Sequence, residues 1–212
     1  MSHRSRIWLP IVVLYGLFLS WYTDFGGPVT EQEISQLAES MRANGSDEAY
    51  IDYITTFFRE DTGRQFLMVN NIDANDSPPS MPGMPADADA EALMAVYMEH
   101  MIPELFKRAC HPVIVGAAVY DAIDVMGISD AESWSDAALF RYRSRRALLE
   151  IISSPAFRGP HDYKIAALDK TVAYPIETSL YIGDLRLLLG LFLLIIELLL
   201  QLWLGGKTPE RK

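Results

Sequence analysis

The 212-residue sequence contains a single cysteine, Cys110. One thiol cannot form an internal disulfide, and its isolation excludes every metal site that is built from several thiolates. Basic residues are also in the minority, because 18 Lys and Arg stand against 28 Asp and Glu and give a formal net charge of −10. A chain this acidic repels a phosphate backbone, so we expect no nucleic-acid partner.

The common fingerprints of catalytic and cofactor sites are missing as well. The sequence has no phosphate-binding glycine loop, no dinucleotide fingerprint and no nucleophile elbow. His100 and His111 stand eleven residues apart, close to three helical turns, but Pro103 and Pro112 interrupt the helix that would align them. We therefore expect neither a metal nor a cofactor.

Long apolar runs are present, and they lie at the two ends of the chain. The first, from Ile7 to Trp21, has fifteen uncharged residues and falls just short of the roughly 30 Å hydrocarbon core at about 1.5 Å per residue. The second, from Leu187 to Leu204, has eighteen residues and is long enough to cross. These runs predict an N-terminal anchor helix at 1–22, in preference to a cleaved signal peptide, and a transmembrane helix at 186–206.

The basic residues near these spans lie at the extreme termini. By the positive-inside rule both termini are then cytoplasmic, and residues 23–185 lie beyond the inner (cytoplasmic) membrane, which in a bacterium is the periplasm. The basic residues in question are Arg4, Arg6, Lys207, Arg211 and Lys212.

Residues 23–62 predict a pair of short helices. Thr30 and Glu33 form a capping box at the start of the first, and Asn44 with Gly45 ends it. The pair precedes the part of the chain in which strands first appear.

Residues 63–178 alternate strands and helices in an order typical of the ferredoxin-like α+β fold. One face of such a four-stranded sheet has no helices, and a second copy of the chain is the expected cover, which predicts a homodimer. The proline-rich segment 73–87 is a candidate lid. The predicted elements are strand 66–72, helix 88–109, strand 113–120, strand 136–142, helix 145–153 and strand 171–174.

Four side chains in this region are candidates for ligand binding. His161, beside Asp162, is a candidate general base, although a surface-turn histidine fits the pattern too. Asn70 is a second catalytic candidate, because its amide can orient a carbonyl, or it makes a structural hydrogen bond. Arg141 can hold an anion, or it belongs to an exposed basic face. Trp134 enters through the resemblance described below.

A carboxylate stands near the middle of the second apolar run, at Glu197. A charge there is costly unless it is protonated or partnered. Gln201 lies one turn further on the same face, and Tyr15 lies near the centre of the first run. These three residues predict an intramembrane polar contact, from Glu197 to Tyr15 or to another subunit.

Four segments resemble the dimeric α+β barrel superfamily, near the antibiotic-biosynthesis monooxygenases. They are GRQFLMVNNID, PELFKRACHPVIVG, WSDAALFRYRSRRALLEIISSPAF and HDYKIAALDKTVAYP, within Gly63 to Pro175. The resemblance implies two sheets that pair face to face around a cavity, and some members are cofactor-independent monooxygenases or haem-degrading enzymes. Haem degraders of this type use an asparagine, a tryptophan and a histidine. Asn70 or Asn71 and Trp134 match the first two, whereas helix 145–153 has no histidine.

Three functions are compatible with these features. The first is a two-span membrane protein whose dimerising ferredoxin-like domain is a ligand-binding or accessory module outside the cytoplasm, with membrane lipid as its surroundings. The second is a cofactor-independent monooxygenase or isomerase that acts on an apolar, membrane-derived molecule. The third is an accessory subunit of a larger membrane complex.

Overall fold

The computed structural model describes residues 3–205, and the chain in this range divides into two compact units. One unit comprises the two terminal segments, up to Thr23 and from Ser179, and the other is Asp24–Thr178. Lys207, Arg211 and Lys212, on which the predicted orientation depends, lie outside the described residues.

The terminal unit consists of two helices that pack against each other, α1 (His3–Tyr22) and α7 (Leu185–Gly205). Within the described residues one helix is long and apolar enough to cross a membrane, Leu185–Leu204, with a mean hydropathy of 2.5. The apolar part of α1 is shorter, Trp8–Tyr22. The prediction that α1 also crosses the membrane is therefore not confirmed.

In the other unit, the chain begins with the helical pair α2 (Glu31–Ala43) and α3 (Glu48–Arg59). Both hydrogen bonds of the predicted capping box are present: the Thr30 amide donates to Glu33 Oε2 over 2.7 Å, and the Glu33 amide donates to Thr30 Oγ1 over 3.3 Å. The apolar faces of the pair meet around Phe58, which is 1% exposed. Side chains of the helix Arg145–Ser153 complete this cluster, so the pair packs onto the sheet-bearing part of the unit.

The rest of this unit is made of four strands and three helices. They are β1 (Phe66–Ala74), α4 (Ala90–Lys107), β2 (His111–Ala117), β3 (Asp136–Tyr142), α5 (Arg145–Ser153), α6 (Pro155–Ala167) and β4 (Leu168–Ile176). The strands form one antiparallel sheet in the order β2-β3-β1-β4. Together with α4 and α5 this order gives the predicted ferredoxin-like βαββαβ arrangement, and α6 is a further helix between α5 and β4.

Side chains alternate between the two faces of the sheet, as strand geometry requires. Phe66 of β1 and Tyr142 of β3 are paired across the strands on the helix-covered face, and their rings stack with centroids 5.1 Å apart. Met101 and Leu105 of α4 and Ile151 of α5 pack on these rings and form the main core. The helices therefore cover one face and leave the other open.

Candidate functional site

His161 lies on α6 inside an aromatic pair. Its ring stacks on Phe157, one turn earlier on the same helix, with centroids 4.7 Å apart, and it meets the Tyr97 ring of α4 in a T-shaped arrangement with centroids 6.0 Å apart. The Nδ1 atom is buried and has no hydrogen-bond partner among the side chains that the structure describes, which on α6 leave out residues 155, 156 and 158. Burial, and secondarily the charge of Lys164, lowers the pKa of His161. The side chain is thus a half-buried helical imidazole and not a surface-turn histidine.

Lys164, one turn beyond His161, is the residue that the sequence analysis missed. Its Nζ lies 5.7 Å from the centre of the Tyr97 ring. No carboxylate stands within ion-pair distance of this ammonium in the described part of the chain. Burial lowers the pKa of Lys164 and raises that of Tyr97 to about 12. The spacing of three residues between His161 and Lys164 was the available sequence signal, because it places both on one side of a helix. The burial of Lys164, however, depends on tertiary packing that the sequence does not show.

The proline-rich segment folds over the helices that carry these groups. Met81 and Met84 pack on a small cluster that contains Leu93 of α4 and Ala167 of α6. The Tyr163 hydroxyl donates to the Pro82 carbonyl over 2.5 Å, which ties the segment to α6. The segment therefore packs on α4 and α6, and its role as a lid stays a prediction.

Asn70 lies on the helix-covered face of the sheet, beside Met68. Its Nδ2 donates to the carbonyls of Met68, over 3.1 Å, and of Ala138, over 3.2 Å. Both bonds hold the amide against its own strands. In the described range no hydrogen bond or ring contact joins Asn70 to His161, so the structure places the two catalytic candidates on one side of the sheet without bringing them together.

Arg141 and Trp134 lie at opposite ends of the β3 segment. Arg141 is fully buried, and its guanidinium donates to Gln65 Oε1 over 2.8 Å and to the Ala109 carbonyl over 2.6 Å. It does not belong to an exposed basic face. The Trp134 indole donates to the Ala131 carbonyl over 2.9 Å, and Lys170 Nζ lies 5.3 Å above the ring. These two residues and His161 do not line one common pocket.

The open face of the sheet carries a row of apolar side chains across all four strands. In the strand register Ile114 pairs with Leu139, Leu139 with Val69, and Val69 with Tyr174. Ile114 is 57% and Tyr174 47% exposed, while the two central residues are half-buried. A contiguous apolar strip on an uncovered sheet face is typical of an interaction surface.

The segment 118–133, here called the arm, extends this apolar character beyond β2. Val119 and Ile123 are each 99% exposed, and Met126 is 88% exposed. The base of the arm is fixed, because Lys170 Nζ donates to the Asp130 carbonyl over 2.8 Å and the Ala118 amide donates to the Ser135 carbonyl over 2.8 Å. The arm contains four acidic residues and no basic one.

In the terminal unit, the predicted polar contact takes a different form. Glu197 is fully buried, Gln201 Nε2 donates to its Oε1, and its Oε2 has no partner among the described residues. The Tyr15 hydroxyl donates instead to the Arg186 carbonyl over 2.9 Å. Gly190 permits this approach, since a Cβ there would lie 3.2 Å from the Tyr15 oxygen.

A polar cleft between α2 and α3 is a weaker candidate. Its charged side chains are already paired with each other: Arg42 Nε lies 2.6 Å from Glu48 Oε1, and Arg59 Nε lies 3.5 Å from Glu31 Oε1. A ligand would have to displace these internal partners, so the unpartnered groups of α6 are the better site.

Comparisons with known proteins agree with the fold. No protein-family model and no curated protein matches the chain. The crystal structure of a protein of unknown function from Rhodopseudomonas palustris superposes with a TM-score of 0.51 at 18% identity, over 61% of this chain and 94% of that one. The methylated form of that protein gives 0.51 at 19% identity, over 63% and 93%.

Dimeric ferredoxin-like proteins of unknown function are also among the similar structures. One from Bacteroides fragilis has a TM-score of 0.34 at 9% identity, over 54% of this chain and 96% of that one. Identities this low, and superpositions this partial, indicate nothing about activity. The superposition on the Rhodopseudomonas palustris protein supports the fold of the sheet-bearing part of the chain, and its strand order is the feature that identifies this fold as ferredoxin-like.

Proposed function

We propose that this chain is a membrane-anchored homodimeric module, which holds its sheet-bearing unit outside the cytoplasm and binds a small ligand or a protein partner there. The observation that carries the proposal is the apolar row on the open sheet face. In a single copy Ile114 and Tyr174 are exposed and Val69 and Leu139 are partly exposed, and burial against the same row of a second copy would remove this apolar area from water. The exposed apolar arm adds to the area available for this contact.

The anchor in this proposal is α7, with α1 crossing beside it. Two facts support a crossing by α1: this helix packs on α7, and near the end of its apolar part stands Trp21, an exposed residue of a type that favours a membrane interface. At about 1.5 Å per residue, fifteen apolar residues span roughly 22 Å, and a locally thinned bilayer accommodates the difference. The terminal basic residues of the sequence then favour cytoplasmic termini.

Labelling of engineered cysteines tests the orientation. Tyr53 is 74% exposed on α3, whereas Cys110 is buried, so in a Tyr53→Cys variant only the new thiol is accessible. We expect a membrane-impermeant maleimide to label this variant in spheroplasts with an intact inner membrane. Labelling that appears only after the inner membrane is permeabilised would place the unit in the cytoplasm and reject the orientation.

A second candidate function is a cofactor-independent monooxygenase or isomerase that acts on an apolar, membrane-derived molecule. The unpartnered Nδ1 of His161 favours it, because a buried imidazole nitrogen without an internal partner can accept a proton from a substrate. Organic extraction of the purified full-length protein, followed by mass spectrometry, tests it. A stoichiometric aromatic or quinone-like molecule that is lost on His161→Phe supports the enzyme, and stoichiometric foreign subunits would instead support a larger membrane complex.

A further inference from the structure

We infer that the face of α6 bearing His161 and Lys164 binds the carboxylate of a small apolar acid. This inference rests on the ligand-binding role proposed above and names the class of ligand. It also assigns a role to Lys164, whose position no feature of the sequence had singled out.

The first argument is the missing counter-charge. Most half-buried cations of the sheet-bearing unit face a carboxylate. Arg108 Nη1 lies 2.5 Å from Glu104 Oε2, Arg146 Nε lies 2.7 Å from Glu33 Oε1, and Lys170 Nζ lies 3.2 Å from Asp130 Oδ1. Lys164 is withdrawn from water and yet has no such partner among residues 3–205. In a chain with ten more acidic than basic residues, this leaves a place for an anion that the protein itself does not fill.

The second argument is the second unpartnered nitrogen nearby. His161 and Lys164 are three residues apart on one helix and so lie on neighbouring positions of its surface. The buried Nδ1 of His161 has no internal partner, and an orphaned buried polar atom indicates a missing ligand or water. One carboxylate has two oxygens, which is enough to accept from both groups. Burial lowers the pKa of both groups, although Asp162 opposes this at His161, and a bound anion would stabilise their charged forms.

The third argument concerns the aromatic rings that border the site. Phe157 covers one side of the His161 ring, and Tyr97 faces both His161 and Lys164. These surroundings suit an apolar body with one charged end.

The test uses the full-length protein in nanodiscs of uncharged phosphatidylcholine, with 2-naphthoate as the probe and calorimetry against empty nanodiscs. We expect saturable binding that weakens by about tenfold or more in Lys164→Met and is retained in Lys164→Arg. The uncharged analogue 2-naphthylmethanol should bind wild type and Lys164→Met equally. The matched control is Lys107→Met, which removes an exposed lysine of α4 and should leave naphthoate binding unchanged.

Two results would overturn the inference: no saturable binding of naphthoate to the wild type at millimolar concentration, or equal binding by wild type and Lys164→Met. Near-UV circular dichroism verifies that each variant is folded. If Lys164→Met does not fold, the test depends on Lys164→Arg, which should retain naphthoate binding. Light scattering on the same samples separates this inference from the proposed dimer. A monomer that binds naphthoate refutes only the dimer, and a dimer that does not bind it refutes only the anion site.

Discussion

Arg146 of α5 donates from Nε to Glu33 Oε1 of α2 over 2.7 Å, and this ion pair joins the N-terminal helical pair to the sheet-bearing part of its unit. The same guanidinium donates to the carbonyls of Gly27, over 3.0 Å, and Pro28, over 2.7 Å. A Cβ at Gly26 would lie 2.6 Å from Arg146 Nη1, so a larger residue at this position would displace the guanidinium. The hydrogen bond from Arg146 is the largest contribution that lowers the pKa of Glu33, to about 2.

Replacement of Glu33 by Gln should therefore destabilise the protein in a pH-dependent way. A carboxylate with a lowered pKa contributes stability above its ordinary value of 4.5, and this contribution disappears as the pH falls towards 2. At neutral pH we expect a loss of about 1 kcal/mol, because the pair is partly exposed and solvent screens it. Thermal unfolding in a nonionic detergent, measured from pH 7 to pH 2, checks this expectation.

The control for that experiment is Glu31→Gln, since Glu31 pairs with Arg59 at 3.5 Å between largely exposed side chains. This variant should unfold close to the wild type throughout. A Glu33→Gln variant that matches the wild type at neutral pH, or whose deficit persists at pH 2, would contradict the assignment.

Cys110 should be chemically inert in the folded protein. Its side chain is fully buried, and burial raises the pKa of the thiol to about 11, so almost no thiolate exists at pH 8. We expect iodoacetamide to leave native Cys110 unmodified and to alkylate it fully after denaturation. The Tyr53→Cys variant is the positive control, and equal rates at the two thiols would show that Cys110 is accessible.

The open sheet face should set the oligomeric state. Ile114→Asp and Tyr174→Asp place a charge at either end of the apolar row, where each side chain is about half exposed and the single copy tolerates the change. A carboxylate buried at the interface has no partner, so we expect the dimer to dissociate about tenfold more readily or not to form. Light scattering coupled to size-exclusion chromatography measures this in detergent, with Tyr53→Asp on α3 as the control. Unchanged mass for both row variants would exclude this face as the interface.

We expect the pair formed by Glu197 and Gln201 to promote self-association of the chain and to lower its thermal stability. Glu197 Oε2 is buried without a partner in the described chain, which costs free energy in an apolar helix. The double substitution Glu197→Leu and Gln201→Leu removes both polar groups, and we expect a higher thermal midpoint together with weaker self-association. The comparison is made in the Ile114→Asp background, so that the sheet face does not contribute. Unchanged association would reject the proposed role.

Much of the fold follows from local signals in the sequence. β3 and α5 have the bounds that the sequence predicts, since apolar alternation marks the strand, Ser144 caps the helix through the Ala147 amide at 3.2 Å, and Pro155 follows its end. β2 ends three residues before the predicted position, at Ala117. The run Val113–Tyr120 is continuously apolar, and hydrophobicity alone cannot distinguish a strand in a sheet from an arm that leaves it.

The candidate site was less predictable because its properties arise from packing. His161 stood out because Asp162 follows it in the sequence. Lys164 becomes buried beside Tyr97 only because α6 continues through Pro160 and packs on α4. Gly159 and Pro160 predict an interruption, whereas the helix continues through both. Arg141 was expected to bind an anion or to lie on an exposed face, whereas its guanidinium is buried and donates to a side-chain amide oxygen and a backbone carbonyl. Nothing in the local sequence of the strand indicates these acceptors.

The composition of the arm gives it a practical use. Between residues 118 and 133 there is no lysine or arginine, so trypsin finds no cleavage site there, while chymotrypsin finds Tyr120, whose side chain is 82% exposed. A solitary copy should be nicked by chymotrypsin at this point before its strands are attacked. In an assembly that covers the arm, the same bond should survive, so the pattern of fragments on a gel reports the quaternary state of unmodified protein in its native membrane.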